Sequence, residues 1–174
     1  MALFVIYGVQ NCGKTHAAWL IYNLLKVAGT EIQSQSSTHP QQKWLTHDEV
    51  LKHIEDRFNA PKATVHISDF RALFEYNGKK VAIFSAGDYV HDPNWVVTSF
   101  DDNMKWAEQN EADHVICCSR YNKTHGGVRK YILDNYKISV YRWYCKHWLS
   151  SVQEQIADAQ RIALEVFMDI KKDC

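Results

Sequence analysis

The stretch that most constrains this chain is residues 3–27. There an apolar run is cut by Gly8-Val9-Gln10-Asn11-Cys12-Gly13-Lys14-Thr15 and resumes with a different period. Leu3-Phe4-Val5-Ile6-Tyr7 is apolar at almost every place, the pattern of a strand covered on both faces. Beyond the break, Ala17, Leu20, Ile21, Leu24 and Ala28 recur at helical steps, and Gly29 is a natural C′ residue to end that helix. A tight glycine-bounded loop between a buried strand and a helix gathers backbone N–H groups at the positive end of the helix dipole. Such a place suits an anion.

Those eight residues match G-x-x-x-x-G-K-[ST], and over residues 3–27 the chain resembles the Walker A segment of the P-loop nucleoside-triphosphatase superfamily, in its small kinase-like branch. The resemblance implies ATP, or another nucleoside triphosphate, bound with Mg²⁺. It implies Gly8, Val9, Gln10, Asn11, Cys12, Gly13, Lys14 and Thr15 as the binding set, with His16 beside them. Lys14 would reach the β- and γ-phosphates, and the Thr15 hydroxyl would ligate Mg²⁺. Nucleoside-monophosphate kinases and AAA+ ATPases usually carry glycine where this chain has Asn11, and Asn is the residue that next best tolerates positive φ. Cys12 reads as a small side chain filling a tight place, or as a reactive thiol whose pKa is lowered by N–H groups and Lys14. His16 either touches phosphate or simply lies on the helix.

At 174 residues the chain has the length of one α/β domain with its own core. Its 20 basic and 20 acidic residues cancel, which gives no global field for nucleic acid or an anionic membrane. The apolar start is too short for a signal peptide, and no stretch approaches the roughly 18 apolar residues of a membrane span. Five cysteines, an odd number with no C-x-x-C spacing, fit free thiols in a reducing cytoplasm. Cys145 and His147 match no common zinc spacing.

Residues 30–43 are polar and aperiodic and read as a loop over the site. Thr46-His47-Asp48-Glu49 is a capping box, followed by Val50, Leu51, Ile54 and Phe58 on one face and a stop at Asn59-Ala60-Pro61. Residues 63–68 are predicted as a second strand. Asp69 then caps a short helix over 70–76, ended by Asn77-Gly78. Residues 80–84 form a third strand, and Asp92-Pro93 opens a helix carrying Val96, Val97, Phe100, Met104 and Ala107. A fourth strand follows at 114–118, a short helix at 128–136 and a fifth strand at 138–144. Ser151 and Glu154 make a second capping box for a long terminal helix with a seam of Val152, Ile156, Ala159, Ala163, Val166 and Ile170. Alternating strands and helices imply an α/β three-layer αβα domain over 1–174, with a mostly parallel sheet of about five strands. Ligands of such sheets lie at the carboxyl ends of the strands.

On that rim stand two acids and an arginine. The resemblance implies an acidic group near Mg²⁺ on a strand beside the first, which favours Asp88 after the third strand; Asp69 is the other candidate, or else the acid that orients an acceptor. Arg120, with Lys123, His125, Arg129 and Lys130 nearby, resembles a basic lid that would stabilise a transferring phosphoryl group. Asn122-Lys123-Thr124-His125 lacks the aspartate that reads guanine. The aromatic and basic run 141–148 could serve a nucleic-acid platform or a half-wet strand, and charge neutrality favours the strand. The expected function is phosphoryl transfer to a small acceptor, a nucleotide among the candidates, or ATP hydrolysis. The alternative is a nucleotide-operated switch acting on a protein or nucleic-acid partner, using residues 30–43 and the terminal helix, whose seam could also join two copies.

Overall fold

A strand that is apolar on both faces demands cover above and below. The structure, a computed structural model, describes residues 1–9, 12–36, 44–60, 67–91, 97, 99–120, 127–147 and 149–173. Its strands are β1 (Ala2–Gly8), β2 (Thr30–Ser36), β3 (Phe70–Tyr76), β4 (Lys79–Phe84), β5 (His114–Arg120) and β6 (Val140–Cys145). They form a single six-stranded sheet in the order β2-β3-β4-β5-β1-β6. The β4–β5, β5–β1 and β1–β6 pairs are parallel, and the β2–β3 and β3–β4 pairs antiparallel.

Alternation along β1 divides the core in two. Phe4 and Ile6 face α1 (Lys14–Ala28), α2 (His47–Asn59) and α5 (Val152–Asp173). Leu3 and Val5 face α3 (Phe100–Gln109) and α4 (Val128–Asn135), where they meet Phe100, Met104, Val128 and Ile132. The fold is therefore α/β, with helices on both faces of a mostly parallel sheet, and with one strand more than expected. No helix among the described residues is long and apolar enough to cross a membrane.

Local chemistry sets the helix ends. Thr46 and Glu49 cap α2 reciprocally, and at α5 Ser151 Oγ accepts from the Glu154 N–H while Glu154 accepts from the Ser151 N–H. The α5 seam is spent inside the molecule. Ala159, Ala163, Val166 and Ile170 are buried in the same core as α1, as expected for packing on its own sheet.

Several elements differ from the sequence-based expectation. Residues 30–36 are a strand rather than loop, because β2 completes its pairing along β3, while residues 37–43 lie outside those described. Residues 70–76 are a strand, not a helix. Asn77 and Gly78 take φ of 50° and 76°, the pair of left-handed residues that a two-residue hairpin requires, and they fold β3 back onto β4. The predicted strand at 63–68 lies mostly outside the described residues, and Ile67 and Ser68 are not in a strand. The Asp92-Pro93 helix start is also outside them. The helix itself runs from Phe100 with Ser99 as its cap, its hydroxyl accepting from the Asp102 N–H.

Gly29 ends α1, but with extended backbone at φ −126°. Its side chain is excluded by proximity, since a Cβ there would lie 2.6 Å from the Glu75 carbonyl oxygen of β3. Gly29→Ala is accordingly expected to lower stability by about 1–3 kcal/mol, read from the urea midpoint, by forcing the end of α1 off the Glu75 backbone of β3.

Candidate functional site at the carboxyl rim

Four parallel strands deliver Gly8, Phe84, Arg120 and Cys145 to one edge of the sheet. Asp69 reaches the same edge from the opposite direction, because β3 runs antiparallel and Asp69 precedes it. The rim therefore collects Gly8, Arg120 and Asp69, although the route for Asp69 differs.

Gly13 is the N-cap of α1 at φ 94°, a left-handed conformation that favours glycine. The next residue, Lys14, is only 8% exposed. Its ammonium turns back along the loop and donates to the Val9 carbonyl at 3.0 Å and the Gly8 carbonyl at 3.4 Å. Among the described residues it has no ion-pairing carboxylate. Thr15, partly exposed, follows on the first turn; Val9 is exposed, and Gln10 and Asn11 lie outside the described residues.

Cys12 is fully buried, and burial pushes its thiol up against the smaller opposing pull of Lys14 and Lys146. A Cβ on Gly8 would lie 2.6 Å from Cys12 Sγ and 2.4 Å from the Lys146 carbonyl. The cysteine is thus the space-filling residue of the loop and not an activated thiol. His16 is buried, with its Nδ1 side beside Gly13 and its other ring nitrogen turned to α2. Its Nε2 shares a hydrogen bond of 2.9 Å with His53 Nδ1 of α2, and burial lowers its pKa from the usual 6.5 to about 3. These groups border a cleft with Ile54, Arg57 and Phe58 of α2.

Lys146 supports the loop from below and had no sequence signal of its own. Its N–H donates to the Tyr7 carbonyl at 2.8 Å, and its buried ammonium donates to Asp158 Oδ2 at 2.8 Å, the His147 carbonyl at 3.0 Å and Gln155 Oε1 at 3.1 Å. All three protons are satisfied, as a desolvated ammonium requires. The readable hint lay on α5, where Gln155, Asp158 and Asp169 interrupt the buried apolar face. Asp169 accepts from Tyr144 and Arg142, each at 2.9 Å. The cations of 141–148 thus have acids of their own protein to meet, and Tyr141 and Trp143 lean on Phe4 and Tyr7.

Asp69 accepts from Ser85 Oγ at 2.8 Å, and the Ser85 hydroxyl itself accepts from the Phe70 N–H at 3.0 Å. No helix follows for Asp69 to cap. Burial pushes its carboxyl up; Ser85 opposes, the charge of Asp88 adds, and Lys14 opposes. Trp19 of α1 fixes the approach to this acid by donating to the Ser68 carbonyl at 3.2 Å.

The strand bearing Asp88 is not beside β1, contrary to expectation, because β5 lies between β4 and β1. The chain leaving β4 compensates by crossing over β5. Gly87 passes so close that a Cβ would sit 2.4 Å from the Cys118 carbonyl oxygen, and its own carbonyl accepts from the Arg120 N–H at 3.0 Å. Asp88 thereby reaches Arg120, which stands opposite Gly8 in the β1–β5 register. The guanidinium grips the carboxylate in a fork, Nε to Oδ1 at 3.0 Å and Nη2 to Oδ2 at 2.7 Å. Of the other basic residues, Lys123 and His125 lie outside the described residues, Arg129 packs over the Tyr7 and Trp143 rings, and Lys130 pairs with Asp134.

No group of three or more His, Cys, Asp or Glu among the described residues could hold a resident metal.

Acidification should expose the buried His16. Its folded pKa lies below its unfolded value, so between pH 6.5 and 3 the unfolded chain takes up the proton that the folded one refuses, and stability falls as pH falls. From pH 7 to pH 5 this contributes a loss of about 2 kcal/mol. Urea unfolding at both pH values should show a smaller loss in His16→Gln; an equal loss in both proteins would remove His16 as its source.

A scan against protein-family models and searches of curated proteins and of solved structures each return no match to this chain, so its functional reading stands on these residues alone.

Proposed function

We propose that this chain binds a nucleoside triphosphate, ATP or another, together with Mg²⁺ on the 8–15 segment. We further propose that it transfers the terminal phosphoryl group to a small acceptor, a nucleotide being one candidate, or to water, in a reducing cytoplasm. The observation that carries the reading is Lys14. A buried ammonium without a carboxylate partner costs free energy, and carbonyl contacts offset only part of that cost. Placed one residue after a left-handed glycine at a helix N-terminus, it completes a site built for a polyanion.

In this mechanism the Gly13–Lys14 end of α1 receives the phosphates, and Lys14 exchanges its loop carbonyls for phosphate oxygens. Thr15 and Asp88 would hold the cation, which would supply positive charge beside the phosphates. Arg120, released from Asp88, meets the charge that develops on the transferred group. Asp69, with its raised pKa and its fixed contact to Ser85, is suited to orient the acceptor hydroxyl and take its proton.

A thermal-shift series with ATP, GTP, ADP and monophosphates, with and without Mg²⁺, tests the assignment. A ligand at 100 times its Kd should add about 2.7 kcal/mol of stability. A second shift from one monophosphate would name the acceptor. Lys14→Ala should abolish the triphosphate shift while the free variant melts at or above the wild-type temperature, because an unpaired buried charge has been removed. Triphosphate binding that survives in Lys14→Ala would sink the assignment.

A further inference from the structure

We infer that the Asp88–Arg120 fork is a specificity device, selecting a triphosphate carried as its metal complex and rejecting the free anion. The inference rests on the proposed nucleotide site and concerns which form of the ligand that site accepts.

The fork occupies both charged groups before any ligand arrives. Its place is fixed by backbone. The Gly87 carbonyl takes the Arg120 N–H, Gly87 lies against Cys118, and Arg120 faces Gly8 across the β1–β5 register. The backbone keeps both residues at the rim, so a ligand must exchange contacts with the two side chains of the pair there.

The two ligand forms meet very different consequences. A metal-free triphosphate can win Arg120 only by stripping it from Asp88, which leaves an unpaired carboxylate beside the phosphate oxygens. Asp69 stands close enough to feel that charge, since Asp88 already contributes to raising its pKa. The metal complex brings a cation for Asp88 and an anion for Arg120 together. One ion pair is replaced by two, and no charge is stranded. Asp88 thus acts twice, as a ligand for the cation and as a repulsive element against the ligand that lacks it.

Calorimetric titration of the whole chain with ATP, in EDTA or in excess Mg²⁺, tests this directly. Wild type should bind the Mg²⁺ form at least about tenfold more tightly than the free form. Asp88→Asn should bind metal-free ATP about tenfold more tightly than wild type does, because the repulsion is gone and Arg120 is free, and its Mg²⁺ preference should shrink to a few-fold. Arg120→Gln should weaken both forms while leaving the Mg²⁺ preference at or above that of wild type, because Asp88 remains.

Three outcomes overturn the inference. They are a wild type that binds both forms equally, metal-free binding that is unchanged or weakened in Asp88→Asn, and a Mg²⁺ preference that collapses in Arg120→Gln. Each leaves the nucleotide site standing. Failure of that site itself would look different, with no titration of wild type by either form.

Discussion

A lysine ammonium shut away from water beneath a loop holds the rim together. Lys146 is buried with all three protons engaged, and its backbone lies against Tyr7 and Gly8. Taking such a charge out of water costs several kcal/mol, and the cost is offset only while Asp158, Gln155 and the His147 carbonyl all stay in place. That condition links three parts of the chain. The end of β6 must pair with β1, α5 must present Asp158 and Gln155 at one height, and the loop must leave room at Gly8. Arg161 braces Asp158 from the other side through contacts of 2.7 and 3.2 Å to Oδ1. Breaking one partner would leave a charge without compensation, which costs far more than the loss of an ordinary surface ion pair.

Two lysines therefore flank the loop in opposite states. Lys146 is saturated and fixes position; Lys14 contacts two carbonyls and, among the described residues, no carboxylate. A similar division holds among the acids. Asp158 is spent on structure, Asp88 is committed to Arg120 but stands partly exposed, and Asp69 is half-buried with its pKa raised by desolvation. The rim works as a graded set of charges, from permanently paired to unpaired. The lone β-crossing at Gly87 keeps the last two acids within electrostatic reach of each other.

Much of the layering was legible in the sequence, and the reasons are specific. β1 and β5 are continuous apolar runs, which only a doubly covered sheet explains, and both capping boxes predicted their helices correctly. The hairpin was misread because Phe70-Arg71-Ala72-Leu73-Phe74 is apolar without clean alternation, and Asn77-Gly78 can end a helix as well as turn a strand. β2 was hidden by its polar composition, which suits an edge strand that buries little. In the site, Lys14 could be picked from its motif and Asp88 and Arg120 from strand ends, whereas Asp69 was picked as the end of a strand and instead precedes β3. Their mutual arrangement could not be read, because strand order is set by packing across distant segments. Gly87 reads as a turn glycine until β5 is known to lie beneath it. Lys146 carried no motif, and only the acids on the apolar stripe of α5 pointed to a buried partner.

The sheet order also governs when the site can come into being. β1 is made first but pairs only with β5 and β6, whose residues lie more than a hundred positions later in the chain. At synthesis rates of about 5–20 residues per second, the first strand waits on the order of ten seconds for its neighbours. Through that interval β1 can pack on α1 but has no strand beside it, while the β3–β4 hairpin can already close locally. The loop after β1 therefore precedes by more than a hundred residues the two strands that flank β1, and its full setting exists only once both have been made.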